Sequence, residues 1–435
     1  MTNQNNDHMV KTKNLLPNDH KYLTFLKKVF RHEFRKNGFR RLSTPFFEEI
    51  NFWKKIFKDN LDENVLHFSI WDKEVWLNPL PSIFNLKAYI EEERKEELQP
   101  VYSYYMDMYY PVDKKNKNDI KWVWLFWWDI IWENDIIIDV QNLFIISDIL
   151  KKIWFQNDYT ISYNFTWTKK EQEKYKEKII EFLEDKKHLL TEETKEKLKK
   201  GKIFDIFKTE NEDEKILFEN LPKISKFYKK DSKKDIEKLS RYIEILWLDI
   251  KQNDFLFWDY DFNDGLIWEI KDNETWKIIA KWYWYNELSN LLGETKEIPG
   301  SWFWVDIFAL IDKLKQKDLK IKNKDKLDLF FVQLWDKAKE VVLPLTIQAR
   351  QAWIKTAVSL GTPSMKEQML KANRSKASYV VMVWVMEANS WVFQLRDLAT
   401  GKQKEIKKDE LIDYIIDKIW KENLDFYDPS KDLSA

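Results

Sequence analysis

The stretch that decides the fold is residues 327–403, which read LDLFFVQLWDKAKEVVLPLTIQARQAWIKTAVSLGTPSMKEQMLKANRSKASYVVMVWVMEANSWVFQLRDLATGKQ. Short apolar runs typical of buried strands alternate there with segments whose apolar residues recur at helical spacing. The runs are 327–334, 354–360, 379–385 and 392–398, and the helical segments are 336–351 and one that Ser364 caps. Strands that alternate with helices predict a mostly parallel sheet that is covered on both faces.

The composition excludes several kinds of site. The 435 residues carry 73 Lys and Arg and 73 Asp and Glu, so any nucleic-acid contact must come from a local basic patch. The absence of Cys excludes disulfides, thiolate zinc sites and a cysteine nucleophile, and the five His show no metal-ligand spacing, so no metal site is predicted. No signal peptide or membrane-spanning run is visible, so we expect a cytoplasmic protein without membrane contact.

The opening stretch resembles the C-terminal anticodon-binding domain of bacterial histidyl-tRNA synthetases. The similarity rests on the strand FFV at 330–332, the segment SMKEQ at 364–368, the strand that ends before Glu387, and RDLATGKQ at 396–403. The order of further motifs extends the resemblance over nearly the whole chain. It therefore implies an α+β protein that begins with a class II synthetase-like core and ends with an α/β anticodon-binding domain.

The resemblance also implies the domain boundaries. The predicted division is a disordered N terminus at 1–16, an antiparallel core sheet at 17–165 and 245–318, a helical insertion at 166–244, a linker at 319–326, the anticodon-binding domain at 327–421 and a tail at 422–435. Residues 38–57, GFRRLSTPFFEEINFWKKIF, resemble the first class II motif, which builds a homodimer interface in that family. Pro45, Phe46 and Phe47 are therefore the predicted dimer motif.

The positions that resemble the family's catalytic motifs have lost their charged side chains. Those enzymes hold histidine and ATP with the sequence Leu-Arg-Pro-Glu-x-Thr and with three further arginines. In place of the first sequence this chain has Asn78, Leu80 and Ser82 at the arginine, glutamate and threonine. The positions that correspond to the other motifs are Asp107 and Tyr109, Trp258 with the retained Asp261, and Ala309. A leucine accepts no hydrogen bond from an ammonium group, and burying that cation without its carboxylate costs several kcal/mol. An aspartate repels a triphosphate where a bidentate cation is needed.

The C-terminal domain keeps polar residues that suit RNA. Phosphate contacts are predicted for Lys366, Arg374 and Arg396, which together with other lysines nearby would form one basic patch. Glu387 and Gln403 are predicted to read the edges of unstacked anticodon bases. The expected partner is tRNA, with the histidine tRNA as one candidate.

Three functions remain open. The first is a non-catalytic synthetase-like protein that retains RNA or partner binding and uses no cofactor. The second is an active histidine–tRNA ligase, which would need ATP and Mg²⁺. The third is a regulatory subunit of ATP phosphoribosyltransferase in histidine biosynthesis, although such relatives lack the anticodon module that this chain resembles.

The ratio of tryptophan to glycine is abnormal. The chain has 23 Trp and only 7 Gly, whereas Gly usually makes up about 7% of residues. Several Trp occupy places where a backbone often needs glycine, among them Trp132, Trp167, Trp335, Trp353 and Trp391, and most such positions are glycine in the family that the chain resembles. The hypothesis that follows is that the gene reads UGA as glycine.

Overall fold

The computed structural model describes residues 15–58, 61, 65–92, 94–110, 122–155, 158–166, 168–317, 319, 321, 326–359 and 364–419. The chain divides into two compact units, residues 1–321 and 322–435. The predicted disordered N terminus lies outside the described residues except for 15 and 16, and the predicted tail lies wholly outside them.

The first unit contains most of the secondary structure. Its described helices and strands are, in chain order, α1 (Pro17–Lys36), β1 (Arg40–Arg41), β2 (Phe47–Glu49), α2 (Ile50–Phe57), β3 (His67–Ile70), β4 (Lys73–Leu77), α3 (Pro81–Glu91), β5 (Val101–Tyr109), β6 (Val123–Ile131), α4 (Ile137–Lys152), β7 (Tyr159–Thr166), α5 (Lys169–Glu184), α6 (Glu192–Lys199), α7 (Glu212–Glu219), α8 (Lys230–Leu246), β8 (Ile250–Gln252), β9 (Asp264–Asp272), β10 (Ile278–Trp284), α9 (Leu288–Leu291), β11 (Gly300–Asp306) and α10 (Ile307–Gln316).

An eight-stranded sheet organises this unit, in the order β1-β5-β6-β11-β10-β9-β7-β8. The five pairings from β5 across to β7 are antiparallel, and only the two edge pairings, β1 with β5 and β7 with β8, are parallel. The prediction of an antiparallel core sheet is therefore confirmed. A separate three-stranded antiparallel sheet, in the order β2-β4-β3, carries the segment that contains Phe47.

The helix α1 covers one face of the large sheet. Its buried residues recur at helical spacing, and among them Leu26, Phe30 and Phe34 are fully buried. Phe30 packs edge-on against Phe126 of β6, and the Phe34 ring lies beside Trp128 of the same strand. Apolar burial at this spacing supplies most of a helix's stability in a protein, so α1 is held to the sheet by this face.

Four helices, α5 to α8, lie between β7 and β8. Thr168 and Glu171 form a capping box at the start of α5, and Thr191 and Asn211 cap α6 and α7. Two buried carboxylates join these elements. Glu171 accepts hydrogen bonds from the Ser232 hydroxyl and from the Lys229 amide. Glu214 accepts hydrogen bonds from the hydroxyls of Thr191, which caps α6, and Thr194 in the first turn of α6.

The second unit is an α/β fold with a mixed sheet. Its described elements are β12 (Leu329–Gln333), α11 (Trp335–Gln351), β13 (Thr356–Val358), α12 (Met365–Arg374), β14 (Tyr379–Val383), α13 (Val385–Ser390), β15 (Val392–Asp397), β16 (Gln403–Lys407) and α14 (Lys408–Ile419). The strand order is β13-β12-β14-β15-β16.

The prediction of a mostly parallel sheet is wrong in one half of this unit. β12 is parallel to β13 and β14, but β14 with β15 and β15 with β16 are antiparallel pairs. The reason is the short helix α13, which occupies the segment that the sequence pattern assigned to a strand end and a turn. It returns the chain at the same edge of the sheet where β14 ended, so β15 must run in the opposite direction.

The backbone has an unusual set of left-handed residues. In the described part of the chain, ten non-glycine residues have positive φ, and eight of them are tryptophans, namely Trp71, Trp132, Trp154, Trp247, Trp276, Trp335, Trp353 and Trp391; the others are Lys58 and Lys376. A left-handed conformation costs an ordinary L-residue about 1–2 kcal/mol, whereas glycine adopts it freely. Four of the five tryptophans singled out from the sequence are in this set, and the fifth, Trp167, lies outside the described residues.

Candidate functional site

One face of the large sheet carries a row of aromatic rings across its central strands. Trp127 of β6 stacks on Trp302 of β11 with ring centroids 4.9 Å apart, and Tyr283 of β10 lies 4.9 Å from Trp302 on the other side. Tyr105 and Tyr109 of β5 flank Trp127 at 6.5 and 5.5 Å. All five side chains are buried. The rings fill the space above these four strands.

A buried polar network adjoins this row, and sequence reasoning missed it. The Asp129 carboxylate, on β6, accepts hydrogen bonds through Oδ2 from the Tyr105 hydroxyl and from Asn85 Nδ2, the latter at 2.8 Å. Its other oxygen, Oδ1, is buried without a hydrogen-bond partner in the described structure. Burial raises the pKa of Asp129 to about 6, although the hydrogen bonds from Tyr105 and Asn85 oppose that change. The signal that could have revealed it is a lone acid within the apolar run KWVWLFWWDIIW.

The first group of predicted positions forms part of the same neighbourhood. Ser82 is buried, and its Oγ lies 3.2 Å from the Tyr105 hydroxyl, so Ser82 extends the Asp129 network. Asn78 is used internally, because its Nδ2 donates to the Pro45 carbonyl and its Oδ1 accepts from the Leu80 amide at 2.9 Å. The Leu80 side chain is buried and offers no polar atom to a ligand.

The second group lies on β5. Tyr109 is buried against Trp127, and Asp107 is partly buried two residues before it. Burial raises the pKa of Asp107, and the charges of Arg41 and Lys27 oppose that change.

The third group surrounds a cavity between the sheet and the helices α5–α8. Trp258 is buried, with Nε1 donating to the Asp264 carbonyl at 3.0 Å, and Asp261 is exposed. Both line a cavity of about 270 Å³, together with Lys169 and Gln172 of α5 and the segment around Phe204. Tyr260, between them in sequence, reaches Trp302 with a centroid distance of 6.5 Å, so this loop borders the aromatic row.

Asp259 in the same loop binds two lysines. Its carboxylate lies 3.1 Å from Lys281 Nζ of β10 and 3.0 Å from Lys208 Nζ, which comes from the segment between α6 and α7. Tyr283 also donates its hydroxyl to Asp259. Burial opposes ionisation, but the charges of Lys281 and Lys208 outweigh it and lower the pKa of Asp259. Both lysines are therefore held by a carboxylate of the protein itself.

Ala309 lies in the first turn of α10. Asp306 caps this helix, since its Oδ1 accepts a hydrogen bond from the Ala309 amide at 3.1 Å. The methyl side chain of Ala309 offers no charge to a phosphate. Over the described ranges, no cluster of three or more His, Asp or Glu side chains is arranged to hold a metal ion.

The predicted RNA-binding residues of the second unit do not form one patch. Lys366 at the start of α12 and Glu387 in α13 lie at the edge where the parallel strands β12–β14 end. Arg396 pairs with Val380 and with Gln403, which places both polar residues at the opposite edge, and Arg374 at the end of α12 precedes β14 on that side. The expectation of a single patch assumed that β15 is parallel; its reversal separates the two groups.

The edge at which the parallel strands end carries an open depression. Trp335, Trp384, Val385, Met386 and Glu387 line it. Glu387 also caps its own helix, because Oε2 accepts from the Trp384 amide at 3.3 Å. Ligands of α/β sheets commonly bind outside the carboxyl ends of parallel strands. This depression is therefore the candidate ligand surface of the second unit.

The predicted dimer motif is exposed in the single chain. The Phe46 and Phe47 side chains are 50% and 59% exposed. A search of the described helices for one long and apolar enough to cross a membrane finds none.

Comparison with known proteins gives three kinds of match. Residues 321–418 match the anticodon binding domain family. The chain is 23% identical over 415 residues to the histidine–tRNA ligase of Halothermothrix orenii, which covers 92% of this chain and 97% of that protein. Its fold matches apo histidyl-tRNA synthetase of Staphylococcus aureus with a TM-score of 0.73, at 20% identity, over 94% of this chain and all of that one.

A second solved structure is similar in fold. It is described as an ATP phosphoribosyltransferase regulatory subunit/histidyl-tRNA synthetase from Bacillus halodurans, and it matches with a TM-score of 0.60 at 11% identity over 88% of this chain and 99% of that one. The sequence match over 92% of the chain and the fold match over 94% both indicate similarity to histidyl-tRNA synthetases. Over nearly its whole length this chain is similar to histidine–tRNA ligases in sequence and to histidyl-tRNA synthetase in fold, and its residues 321–418 match the anticodon binding domain family.

Proposed function

We propose that this protein is a non-catalytic histidyl-tRNA synthetase-like protein that binds tRNA through residues 327–421 in the cytoplasm. The observation that carries the non-catalytic part is the state of the cations around the aromatic row. Lys208 and Lys281 are bound by Asp259, and Arg94 is bound by Glu97 at 2.7 Å. Positions 107 and 309, where the resemblance requires arginine, carry aspartate and alanine.

The expected loss of ATP affinity is large. A hydrogen bond to a charged group contributes roughly 1.5–3 kcal/mol, so two missing arginine contacts weaken binding by about 10²–10⁴-fold. Leu80 adds a second deficit, because a buried ammonium group would find no carboxylate at that position. Neither ATP nor Mg²⁺ is needed by the proposed function.

Pyrophosphate exchange with histidine and ATP tests this part. We expect no histidine-dependent exchange above background, with the H. orenii ligase assayed in parallel as a positive control. Exchange at a rate comparable to that control contradicts the proposal and favours an active histidine–tRNA ligase. The assay is run on protein carrying tryptophan and on protein carrying glycine at the 23 tryptophan positions, because the buried rings of Trp127 and Trp302 belong to the aromatic row.

The tRNA-binding part rests on the second unit. Residues 321–418 match a family named for anticodon binding, and the exposed Lys366 begins α12 at the edge of the sheet where the parallel strands end, the edge that also carries the open depression. Arg374, Arg396 and Gln403 form a second polar group at the opposite edge. The alternative function is that of a regulatory subunit of ATP phosphoribosyltransferase, which the fold match to the B. halodurans protein suggests. A complex with a short-form ATP phosphoribosyltransferase, in the absence of tRNA binding, would favour that alternative.

We also propose a homodimer. Phe46 and Phe47 are exposed large apolar side chains at the motif that the resemblance assigns to a two-fold interface, and an isologous interface buries such residues on both subunits. Sedimentation at micromolar concentration is expected to give a dimer. A folded monomer would contradict this proposal without affecting the others.

We further propose that the 23 tryptophan positions are glycine in the protein as the cell makes it. Eight support this through positive φ. Six others, Trp53, Trp76, Trp127, Trp268, Trp302 and Trp384, have indole N–H groups that are buried without a hydrogen-bond partner in the described structure, whereas buried tryptophans usually find one.

The intact mass of the native protein tests the recoding. Because glycine has no side chain, each replacement of Trp by Gly lowers the mass by about 129 Da. We expect a deficit of about 3 kDa from the 53.3 kDa of the printed sequence. A mass that agrees with 23 tryptophans would overturn the recoding and leave the proposed tRNA binding in place.

A further inference from the structure

Two glutamine side chains meet where the central strand of the second unit ends. Gln333 is the last residue of β12 and is 7% exposed, and Gln368 lies in the first turn of α12 and is 1% exposed. Glutamine is mostly found on protein surfaces, because a buried side-chain amide must satisfy both its donor and its acceptor. Two buried glutamines at one edge of a sheet therefore require specific partners.

The parallel ladder between β12 and β13 stops at this point. The Ser359 amide still donates to the Phe331 carbonyl at 3.1 Å, as the pairing of Phe331 with Val358 requires. In a ladder that continued, the Ser359 carbonyl would accept a hydrogen bond from the Gln333 amide. It accepts instead from the Gln333 side chain, through Nε2 at 3.0 Å, so the backbone of Gln333 is left for another partner.

The Gln368 side chain is that partner. Its Oε1 accepts a hydrogen bond from the Gln333 amide at 2.8 Å, and its Nε2 donates one to the Gln333 carbonyl at 2.6 Å. A side-chain amide carries a donor and an acceptor side by side, so it can satisfy both backbone groups of one residue as a neighbouring strand does. A carboxylate or an aliphatic side chain at position 368 could not do this.

This pairing joins the start of α12 to the edge where the parallel strands end. Gln368 comes four residues after Ser364, which caps the helix, and two residues after the exposed Lys366. The apolar side chains of α12 that pack on the sheet, Met369 and Ala372, follow Gln368 along the helix. The amide pair therefore extends the attachment of α12 to its first turn, and a displacement of that turn would move Lys366.

We propose that Gln368 is a positioning residue for tRNA binding, which holds Lys366 at the edge where the parallel strands end. This inference rests on the proposed tRNA binding through the second unit and adds a buried side chain that controls it. Gln368 touches no ligand and acts through Lys366, for which a phosphate contact is predicted. The attraction between an ammonium group and a phosphate falls with distance, so the contact depends on where the helix begins.

The test measures the binding of bulk bacterial tRNA to the full-length protein by fluorescence anisotropy. Gln368→Glu keeps the shape of the side chain, but its carboxylate has no donor for the Gln333 carbonyl. Because burial raises the pKa of a carboxyl group, the protonated form should be restored at about pH 5.5 and absent at about pH 8. We expect the variant to bind tRNA several-fold more weakly than the wild type at the higher pH and as tightly as the wild type at the lower pH.

Comparison with the wild type at each pH removes the titration of neighbouring groups. The strands β12 and β13 contain no titratable side chain, so the neighbouring groups are those of α12 itself, namely Lys366, Glu367, Lys371 and Arg374. Gln348→Glu makes the same change at an exposed position of α11 and is the matched control. Its affinity for tRNA should stay within about a factor of two of the wild type at both pH values.

A double-mutant cycle with Lys366→Ala separates positioning from a general structural role. If Gln368 acts through Lys366, the loss caused by Gln368→Glu at the higher pH should shrink to less than about twofold when Lys366 is already alanine. Each single variant should also reduce the salt slope of tRNA binding by up to about 1. An equal loss in both backgrounds would overturn the inference, and so would wild-type affinity of Gln368→Glu at both pH values.

Circular dichroism melts confirm that each variant is folded at the pH of the assay. If Gln368→Glu does not fold at the higher pH, Gln368→Met takes its place, because it keeps the length of the side chain without a donor or a strong acceptor. Gln368→Met should bind tRNA weakly at both pH values. If the wild type binds tRNA and the Gln368 variants bind it equally well, the proposed function stands and the inference fails. If the wild type binds no tRNA, both fail.

Discussion

The aromatic row of the first unit and the open depression of the second differ in where they keep their charges. In the first, two lysines bind Asp259, Tyr105 and Asn85 donate hydrogen bonds to one oxygen of Asp129, and rings occupy the space above the strands. In the second, Lys366 is exposed at the edge of the sheet that carries the depression. A sheet is maintained by its apolar packing. One unit can therefore lose the charged side chains that bind a ligand while the other keeps them, and both folds persist.

The largest expected effect comes from the left-handed tryptophans, which occur in both units. In a variant with glycine at all eight positions, we expect the free energy of unfolding to rise by about 1 kcal/mol per position, because each replacement removes left-handed strain. The sites are distributed along the chain, so the gains should add to roughly 8 kcal/mol. Urea unfolding, followed separately for the two units, measures the change.

A matched control separates backbone strain from tryptophan as such. Lys376→Gly has the same sign of φ, so it should also stabilise the protein. If the eight-position variant is less stable than the parent, these tryptophans are the evolved residues, and the recoding proposal loses its structural support.

The second prediction concerns Asp129, whose pKa is raised to about 6 by burial. Between the ordinary pKa and this value, the folded state binds the proton more tightly than the unfolded state, so stability falls as pH rises from about 4 to 6. A difference of about two pKa units corresponds to about 3 kcal/mol. Asp129→Asn should remove this part of the pH dependence in denaturant titrations.

The exposed Asp249→Asn is the control for that titration and should leave the slope of stability against pH unchanged. A slope that survives in Asp129→Asn would show that the Asp129 carboxylate is solvated. The network would then be open to a ligand, and the first unit would resemble the second in having a free polar site.

Much of this architecture could be predicted from the sequence, because apolar periodicity decides which face of an element is buried. The buried strands of 327–403 and the helix α1 follow from that pattern. The direction of β15 could not be predicted, because it depends on α13, a helix of six residues with no clear periodicity. Because the sequence predicted β15 to be parallel, it also placed Lys366 and Arg396 in one basic patch. Asp129 was missed since its partners Asn85 and Tyr105 come from two distant segments.

The third prediction tests the helices α5–α8 through Glu214. Burial opposes ionisation, but hydrogen bonds from Thr209, Thr191 and Thr194 outweigh it and lower the pKa of Glu214. Stability from this group is therefore present above its ordinary pKa and is lost as pH falls through the folded-state value, the reverse of Asp129. Glu214→Gln should cost about 1–3 kcal/mol at pH 7, and less in acid.

Chemical unfolding at pH 7 and at pH 4 measures this loss, with Glu219→Gln, an exposed residue at the end of the same helix, as the control. An equal loss at both pH values would mean that the carboxylate charge contributes nothing. The threonines would then stabilise these helices through neutral hydrogen bonds alone.

The smallest effect is expected at the depression of the second unit, where a single exposed charge is changed. Lys366→Glu should weaken tRNA binding by the full-length protein several-fold and reduce the salt slope by about 1, because one phosphate contact is lost. Arg374→Glu changes charge by the same amount on the same helix but at the opposite edge of the sheet, so it should have a smaller effect. If Arg374→Glu weakens binding more than Lys366→Glu, RNA lies against the edge that carries Arg396 and Gln403. The second unit would then still bind RNA, but through the opposite edge of its sheet, and the open surface at the strand ends would be unused.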